Sequence, residues 1–364
     1  MGRIRVYLRD AMALSTRPLR AGRRRFLGAA AALAFAPAAR AGAEPPIADA
    51  HSHIGMFSSR LRSLRAEMEQ AGVTLLAWSI VGDTPWTHRT PRGIEQRAEP
   101  KPGEQAAHFR RRLAQVRAYL SRDGLAHIEA PADLEAARGG APRVVIALEG
   151  AGLAADGLEL LDEAYAGGLR HLQLVHYIRN ALGDFQTERP EHGGLTDLGA
   201  DVIRACNRLG MLVDLAHATG PAIDRALEVS AVPPIWSHSS ISATQYSWQQ
   251  SSSLSRLLYI DYARKIAQRG GAIGLWSLKR TVGSVPSGYA DELLRMVDAV
   301  GPEHVMFGTD LDGVGAFGTM DKLADLRAVA DELLRRGVDA KTLRALCFGN
   351  YARCLRAAMQ GRQA

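Results

Sequence analysis

Ile47-Ala48-Asp49-Ala50-His51-Ser52-His53 is a short apolar run that ends in two histidines. In an extended strand, residues two apart point to the same side, so His51 and His53 can face one point. Five later runs have the same form: VVIALEG (144–150), LQLVHY (172–177), MLVDLAH (211–217), PPIWSH (233–238) and VMFGTD (305–310). Each carries a metal-ligand-type residue at or near its end: Glu149, His176, His217, His238 and Asp310. One barrel fold gathers all its strand C-termini around a single pocket. Residues scattered along most of the chain would then converge on one site.

Working outward, strand-like and helix-like segments alternate. Candidate strands lie near 47–54, 73–81, 144–149, 171–177, 211–217, 233–238, 270–278 and 305–310. Most are runs of Val, Ile and Leu without polar alternation, as expected for strands buried on both faces. Helical patterns lie between them, over 58–71, 104–122, 130–138, 157–167, 196–209, 220–229, 257–268, 288–299 and 320–336. A further helix over 340–358 is interrupted by Gly349-Asn350. Strand-helix alternation repeated eight times predicts an α/β fold, a (β/α)8 TIM barrel. A doubly wound open sheet is the runner-up, but no Gly-rich phosphate loop follows the first strand. Three long loops, 82–103, 178–195 and 239–256, follow strand C-termini, where barrel enzymes build substrate sites.

The chain has 364 residues, 47% of them hydrophobic, enough for one large core. Its formal charge of +7 invites a nucleic-acid reading. Residues 1–41 hold nine Arg against one Asp, however, so the remainder carries about one net negative charge. No polybasic stripe remains in the body, and no nucleic-acid partner is expected. The leader has a basic region ending Arg23-Arg24-Arg25-Phe26-Leu27, an Ala-rich apolar stretch, and small residues near Ala39 to Ala43. Arg-Arg-x-Phe-Leu resembles a twin-arginine export signal. Residues 1–43 are therefore expected to be a signal and 44–364 the barrel, with a periplasmic or secreted destination for the mature chain. No stable membrane insertion is expected after processing, because the apolar stretch is short. Three cysteines, Cys206, Cys347 and Cys354, do not make a disulfide framework and read as small buried apolar residues.

His51 and His53 at a strand end can grip one metal. Glu149 closes an apolar run, where a carboxylate is costly unless paired or coordinated, and it can bridge two metals with its two oxygens. His217 and His238 close adjacent strands and suit a second metal. His176 is either a ligand or a donor that steadies an oxyanion. Asp310 either ligates or moves a proton to the leaving group. Taken singly, each has a plainer reading as a surface histidine, an ion-pair partner or a turn cap. Their matching positions favour a pair of divalent metals that activate water. No Gly-x-Ser-x-Gly elbow and no catalytic Cys signature competes.

These residues in this order resemble the membrane dipeptidase (renal dipeptidase) family of zinc peptidases, related to the amidohydrolases. The resemblance runs from about residue 47 to about 356 and is carried by DAHSH, ALEGA, LVHYIRNALGDFQT, HGGLTDLG, DLAHA, SHSS, GTDLDG and FGNYARCLRA. It implies a barrel with two zinc ions: His51 and His53 on one, His217 and His238 on the other, and Glu149 between them. It further implies that His176 polarises the scissile carbonyl and Asp310 shuttles the proton, while a bridging hydroxide attacks the peptide bond of a dipeptide. Family members are often homodimers. Two departures stand out. The family usually has His-x-Asp in the first strand, where this chain has His53. It also places an Arg about eleven residues after the SHSS histidine, where this chain has Gln249. Arg256 is the nearest basic residue and can grip the substrate carboxylate only if the loop folds back. A metal-dependent hydrolase of another amide, lactone or ester, and a non-catalytic binding protein of the envelope, are the alternatives.

Overall fold

The computed structural model describes residues 44–57, 61–91 and 93–361. The expected export signal, residues 1–43, lies outside the described residues.

Eight parallel strands form the centre: β1 (Ile47–Ser52), β2 (Val73–Val81), β3 (Arg143–Glu149), β4 (Leu169–Gln173), β5 (Leu212–Asp214), β6 (Trp236–Ser239), β7 (Ile273–Leu275) and β8 (Val305–Phe307). Strands β1 to β5 pair in chain order, and so do β6, β7 and β8. Two isolated parallel bridges join these arcs, Asp214 to Ile235 and Ser52 to Leu311. Backbone bonds span both seams: Leu215 N–H donates to the Ile235 carbonyl at 2.8 Å, and His53 N–H to the Leu311 carbonyl at 2.8 Å. The sheet thus curls onto itself as the TIM-barrel reading requires, and the open-sheet alternative fails.

The strands show the period of two that a closed sheet needs. In β3, Val144, Ile146 and Leu148 join the larger core cluster with the surrounding helices. Val145 and Ala147 belong to a second cluster that includes Tyr351 and Leu355 of the C-terminal helix Asn350–Gly361. Glu149 continues the phase of Val145 and Ala147. Gly274 and Gly308 meet at the Ser237 carbonyl so closely that a Cβ on either would collide with it. These two glycines let neighbouring strands approach.

Helix boundaries follow local chemistry. The helix Asp197–Leu209 begins where the Thr196 hydroxyl accepts from Gly199 N–H, and it ends at Gly210 with φ 86°. The interruption expected at Gly349-Asn350 is a π turn over Ala345–Gly349 that leads directly into the last helix. The loop 82–103 is partly ordered: Thr87–Thr90 and Gly93–Gln96 form an antiparallel hairpin. Cys206, Cys347 and Cys354 are buried free thiols, and burial pushes Cys206 and Cys347 up to about 12. No helix among the described residues is long and apolar enough to cross a membrane.

Candidate metal centre

Three of the runs read as strands stop earlier than their sequence suggested. His176, His217 and Asp310 each lie three residues past the last residue of β4, β5 and β8. His217 has φ 70° and Asp310 has φ 55°, and both are non-glycine residues in the left-handed region. That conformation is uncommon and costs energy, and it recurs where a side chain must be aimed at a site. The turn after the strand therefore directs these side chains, where simple alternation would not.

Glu149 is the hub. His53 Nε2 lies 3.2 Å from its Oε2. Its Oε1 is 3.5 Å from His51 Nε2, 3.4 Å from His176 Nε2, 3.5 Å from His217 Nε2 and 3.6 Å from His238 Nε2. The histidines fall into two close pairs. Nε2 to Nε2 is 3.1 Å between His51 and His53, and 3.1 Å between His217 and His238. Two imidazoles on one tetrahedral zinc, with arms of about 2.0–2.1 Å, would stand about 3.3 Å apart. Asp310 Oδ1 is 3.5 Å from His53 Nε2.

Hydrogen bonds on the far side of the rings decide which atoms face the centre. His53 Nδ1–H donates to the Ser79 carbonyl at 2.8 Å, and His176 Nδ1–H donates to the Asp83 carboxylate at 2.8 Å. In their neutral forms both rings then present an Nε2 lone pair to a Glu149 oxygen. Lone pairs against carboxylate oxygens repel unless a proton or a cation lies between them. His238 Nδ1 contacts Ser237 Oγ at 2.8 Å, and His51 Nδ1 contacts Ser79 Oγ at 3.3 Å. Partners of this kind orient metal-binding imidazoles. Among the described residues, buried His217 Nδ1 has no hydrogen-bond partner.

The electrostatics agree. Burial disfavours the Glu149 anion, yet His176 and His51, with bonds from His51 and His53, hold it well below the usual carboxylate range. Burial also disfavours charge on His53, but Glu149 and Asp310 lift it to about 9. His217 and His238 are held well below the usual histidine range, first by burial, then by a neighbour, Arg256 for the one and His51 for the other. His217 and His238, neutral beside a retained carboxylate, are in the form that binds a cation, and on His53 a cation would take the place of the proton. Two ligand groups share Glu149: His51 and His53 on one side, His217 and His238 on the other. A third grouping of His51, Asp214 and His238 also lies within reach. The Asp214 oxygens are already taken, by Ala216 N–H and Ser237 N–H at 2.9 Å and by His171 Nε2 at 3.1 Å. We therefore read Asp214 as a support for the floor of the site.

The site opens into a hollow of about 330 Å³ bounded by His53, His176, Tyr177, Arg256 and Asp310. A wider hollow of about 550 Å³ adjoins it and shares Arg89, Ile94, Tyr177, Arg256 and Gly313. The loop after β6 does fold back. Ile241–Ser242 pairs with Leu258–Tyr259, and Ser239 Oγ donates to the Arg256 carbonyl at 2.8 Å. Arg256 is thereby set over the Trp276 ring at 4.8 Å, with a guanidinium nitrogen 3.5 Å from Asp310 Oδ2. Gln249 lies on the exposed part of that loop and lines neither hollow.

Asp83 escaped the sequence reading. It is buried just past the end of β2, accepts from His176, and accepts from Tyr177 N–H at 2.9 Å. Its signal was present, because Asp83 follows the apolar run 73–81 as Glu149 ends its own.

Comparison with known proteins decides the family. The family model described as Membrane dipeptidase (Peptidase family M19) matches residues 45–364. The chain belongs to the membrane dipeptidase family. Among curated relatives, Dipeptidase verJ of Clonostachys rogersoniana is 28% identical over 66% of this chain and 61% of its own length. Dipeptidase 3 of Mus musculus is 28% identical over 60% of this chain and 45% of its own. The matches thus span about half to three fifths of the curated relatives. Among solved structures, a metallo peptidase from Rhodobacter sphaeroides liganded with a phosphinate mimic of L-Ala-D-Ala superimposes with a TM-score of 0.72. It is 18% identical and covers 87% of this chain and 100% of that one. The probable dipeptidase PvdM from Pseudomonas aeruginosa gives 0.68 at 17% identity, over 81% of this chain and 88% of that one. These likenesses extend the family assignment to the fold.

Proposed function

We propose that this chain is an exported, zinc-dependent dipeptidase. One observation carries the reading: a single buried carboxylate, Glu149, stands between two histidine pairs, with their Nε2 atoms turned toward it. His51 and His53 would hold one metal, His217 and His238 a second, and Glu149 would share its oxygens between them. Two divalent cations so held would acidify water and polarise a carbonyl.

The chain's own groups have distinct tasks in this reading. Arg256 grips the free carboxylate of a short peptide, which suits a planar guanidinium held over an aromatic face. His176, anchored by Asp83 and favoured in its protonated form by the Asp83 and Glu149 charges, donates from Nε2–H to the carbonyl oxygen of the bond to be cleaved. Asp310 lies beside His53 and Arg256 and carries the proton to the departing amine. His53, where the family usually has Asp, lowers the negative charge around the first metal. Export rests on Arg23-Arg24 and the stretch that follows, and on nothing in the barrel.

The test is metal content together with a dipeptide panel. Purified mature chain is expected to contain about two zinc per barrel and to hydrolyse dipeptides. His51→Ala should lower both. Active protein without stoichiometric divalent metal would end the two-metal reading, and metal-loaded protein that turns over no dipeptide would end the dipeptidase reading.

A further inference from the structure

The charged side chains that line the wider hollow are of one sign. Among the described residues its lining includes Arg89, Arg256, Lys279 and Arg280 and no Asp or Glu. The inner hollow, in contrast, carries Glu149, Asp310 and Asp312. Lys279 Nζ donates to the Ala316 carbonyl at 3.2 Å, and an Arg280 nitrogen to Ser253 Oγ at 3.3 Å. These acceptors are neutral, so they position the cations without cancelling their charge. Arg89 stands exposed on the Thr87–Thr90 strand of the hairpin that also lines this hollow.

A dipeptide with neutral side chains brings one carboxylate, which Arg256 alone can meet. Three cations beyond Arg256 are more than such a substrate uses. Cations at one mouth raise the local concentration of anions and penalise positive ligands. We propose that the preferred substrate carries a second anionic group on the residue C-terminal to the cleaved bond, held in the outer hollow by Lys279, Arg280 and Arg89. The group is a planar or tetrahedral oxyanion, a side-chain carboxylate or a phosphate ester. The proposal rests on the dipeptidase reading, because Arg256 on the α-carboxylate is what turns the C-terminal residue toward this hollow.

The experiment compares kcat/KM for Ala-Glu, its neutral isostere Ala-Gln, Ala-phosphoserine, and the reversed pair Glu-Ala and Gln-Ala. Ala-Glu or Ala-phosphoserine is expected to exceed Ala-Gln by about ten-fold or more, the effect of a charge-assisted hydrogen bond. The faster of the two identifies carboxylate or phosphate as the source. The preference should shrink as salt rises, because exposed cations are screened. In a Lys279→Gln/Arg280→Gln variant the ratio of Ala-Glu to Ala-Gln should fall toward one. A Lys279→Arg/Arg280→Lys variant, which keeps both charges, should restore most of it. Equal rates for Ala-Glu, Ala-phosphoserine and Ala-Gln would overturn the proposal while leaving the dipeptidase reading intact. A preference for Glu-Ala over Gln-Ala in its place would overturn the assignment of side. Turnover of none of the panel by metal-loaded protein would remove both the dipeptidase reading and the inference built on it.

Discussion

Asp83→Asn is the sharpest test of how the site is aimed. Asp83 accepts two buried bonds, from His176 Nδ1–H at 2.8 Å and from Tyr177 N–H at 2.9 Å. An asparagine has one carbonyl oxygen, so it can keep one of them and must turn its NH2 group toward the other donor. Keeping the backbone bond leaves that NH2 group facing His176 Nδ1. The ring must then rotate or change tautomer, and the charge that favours its protonated form disappears. Burial alone would lower His176, and the negative Asp83 and Glu149 are what raise it. Losing one charge-assisted bond in a buried place is worth about 1.5–3 kcal/mol. At about 1.4 kcal/mol per factor of ten, kcat should fall about ten- to a hundred-fold. Removing an oxyanion donor outright costs about a hundred- to a thousand-fold in kcat, so His176→Ala should be worse. The losses should appear in kcat with little change in KM, since His176 acts on charge that develops during reaction. The double variant should be no slower than His176→Ala alone, because Asp83 acts through His176. Circular dichroism and the melting temperature check that each variant is folded. A folded Asp83→Asn enzyme within two-fold of the parent, or fully additive losses, would refute the positioning role.

Other outcomes follow from the same geometry. Glu149→Gln removes the charge that both histidine pairs share, so elemental analysis should find both metals depleted; full occupancy and a near-normal rate would make Glu149 a structural ion-pair partner. Arg256→Ala should raise KM for dipeptides about ten-fold or more and spare their C-terminal amides. An unchanged preference for the free acid would mean another group holds the carboxylate. Replacing Arg23 and Arg24 by Lys should abolish export, as read by fractionation, if the twin-arginine route is used. Gly274→Ala puts a methyl group against the Ser237 carbonyl and should cost about 1–3 kcal/mol in denaturant unfolding, with no direct contact to substrate.

Sequence alone determined the number and order of the strands, because runs of Val, Ile and Leu buried on both faces stand out from amphipathic helices. It also named seven side chains of the site, Glu149 and Asp310 among them, by their place at or near the ends of those runs. Only the tertiary structure decided how they meet. Strands β4, β5 and β8 end three residues before His176, His217 and Asp310, and left-handed turns at two of these aim the side chains; no periodicity encodes such a turn at a non-glycine residue. Asp83 was invisible as a partner of His176, because two positions 93 apart in sequence meet only when β2, β3 and β4 lie side by side. Arg256 was the conditional case. Its charge was legible, but its reach depended on Ile241–Ser242 pairing with Leu258–Tyr259 and drawing the loop back over Trp276. Chemistry is local and is written in residue types, whereas convergence is a property of the closed sheet.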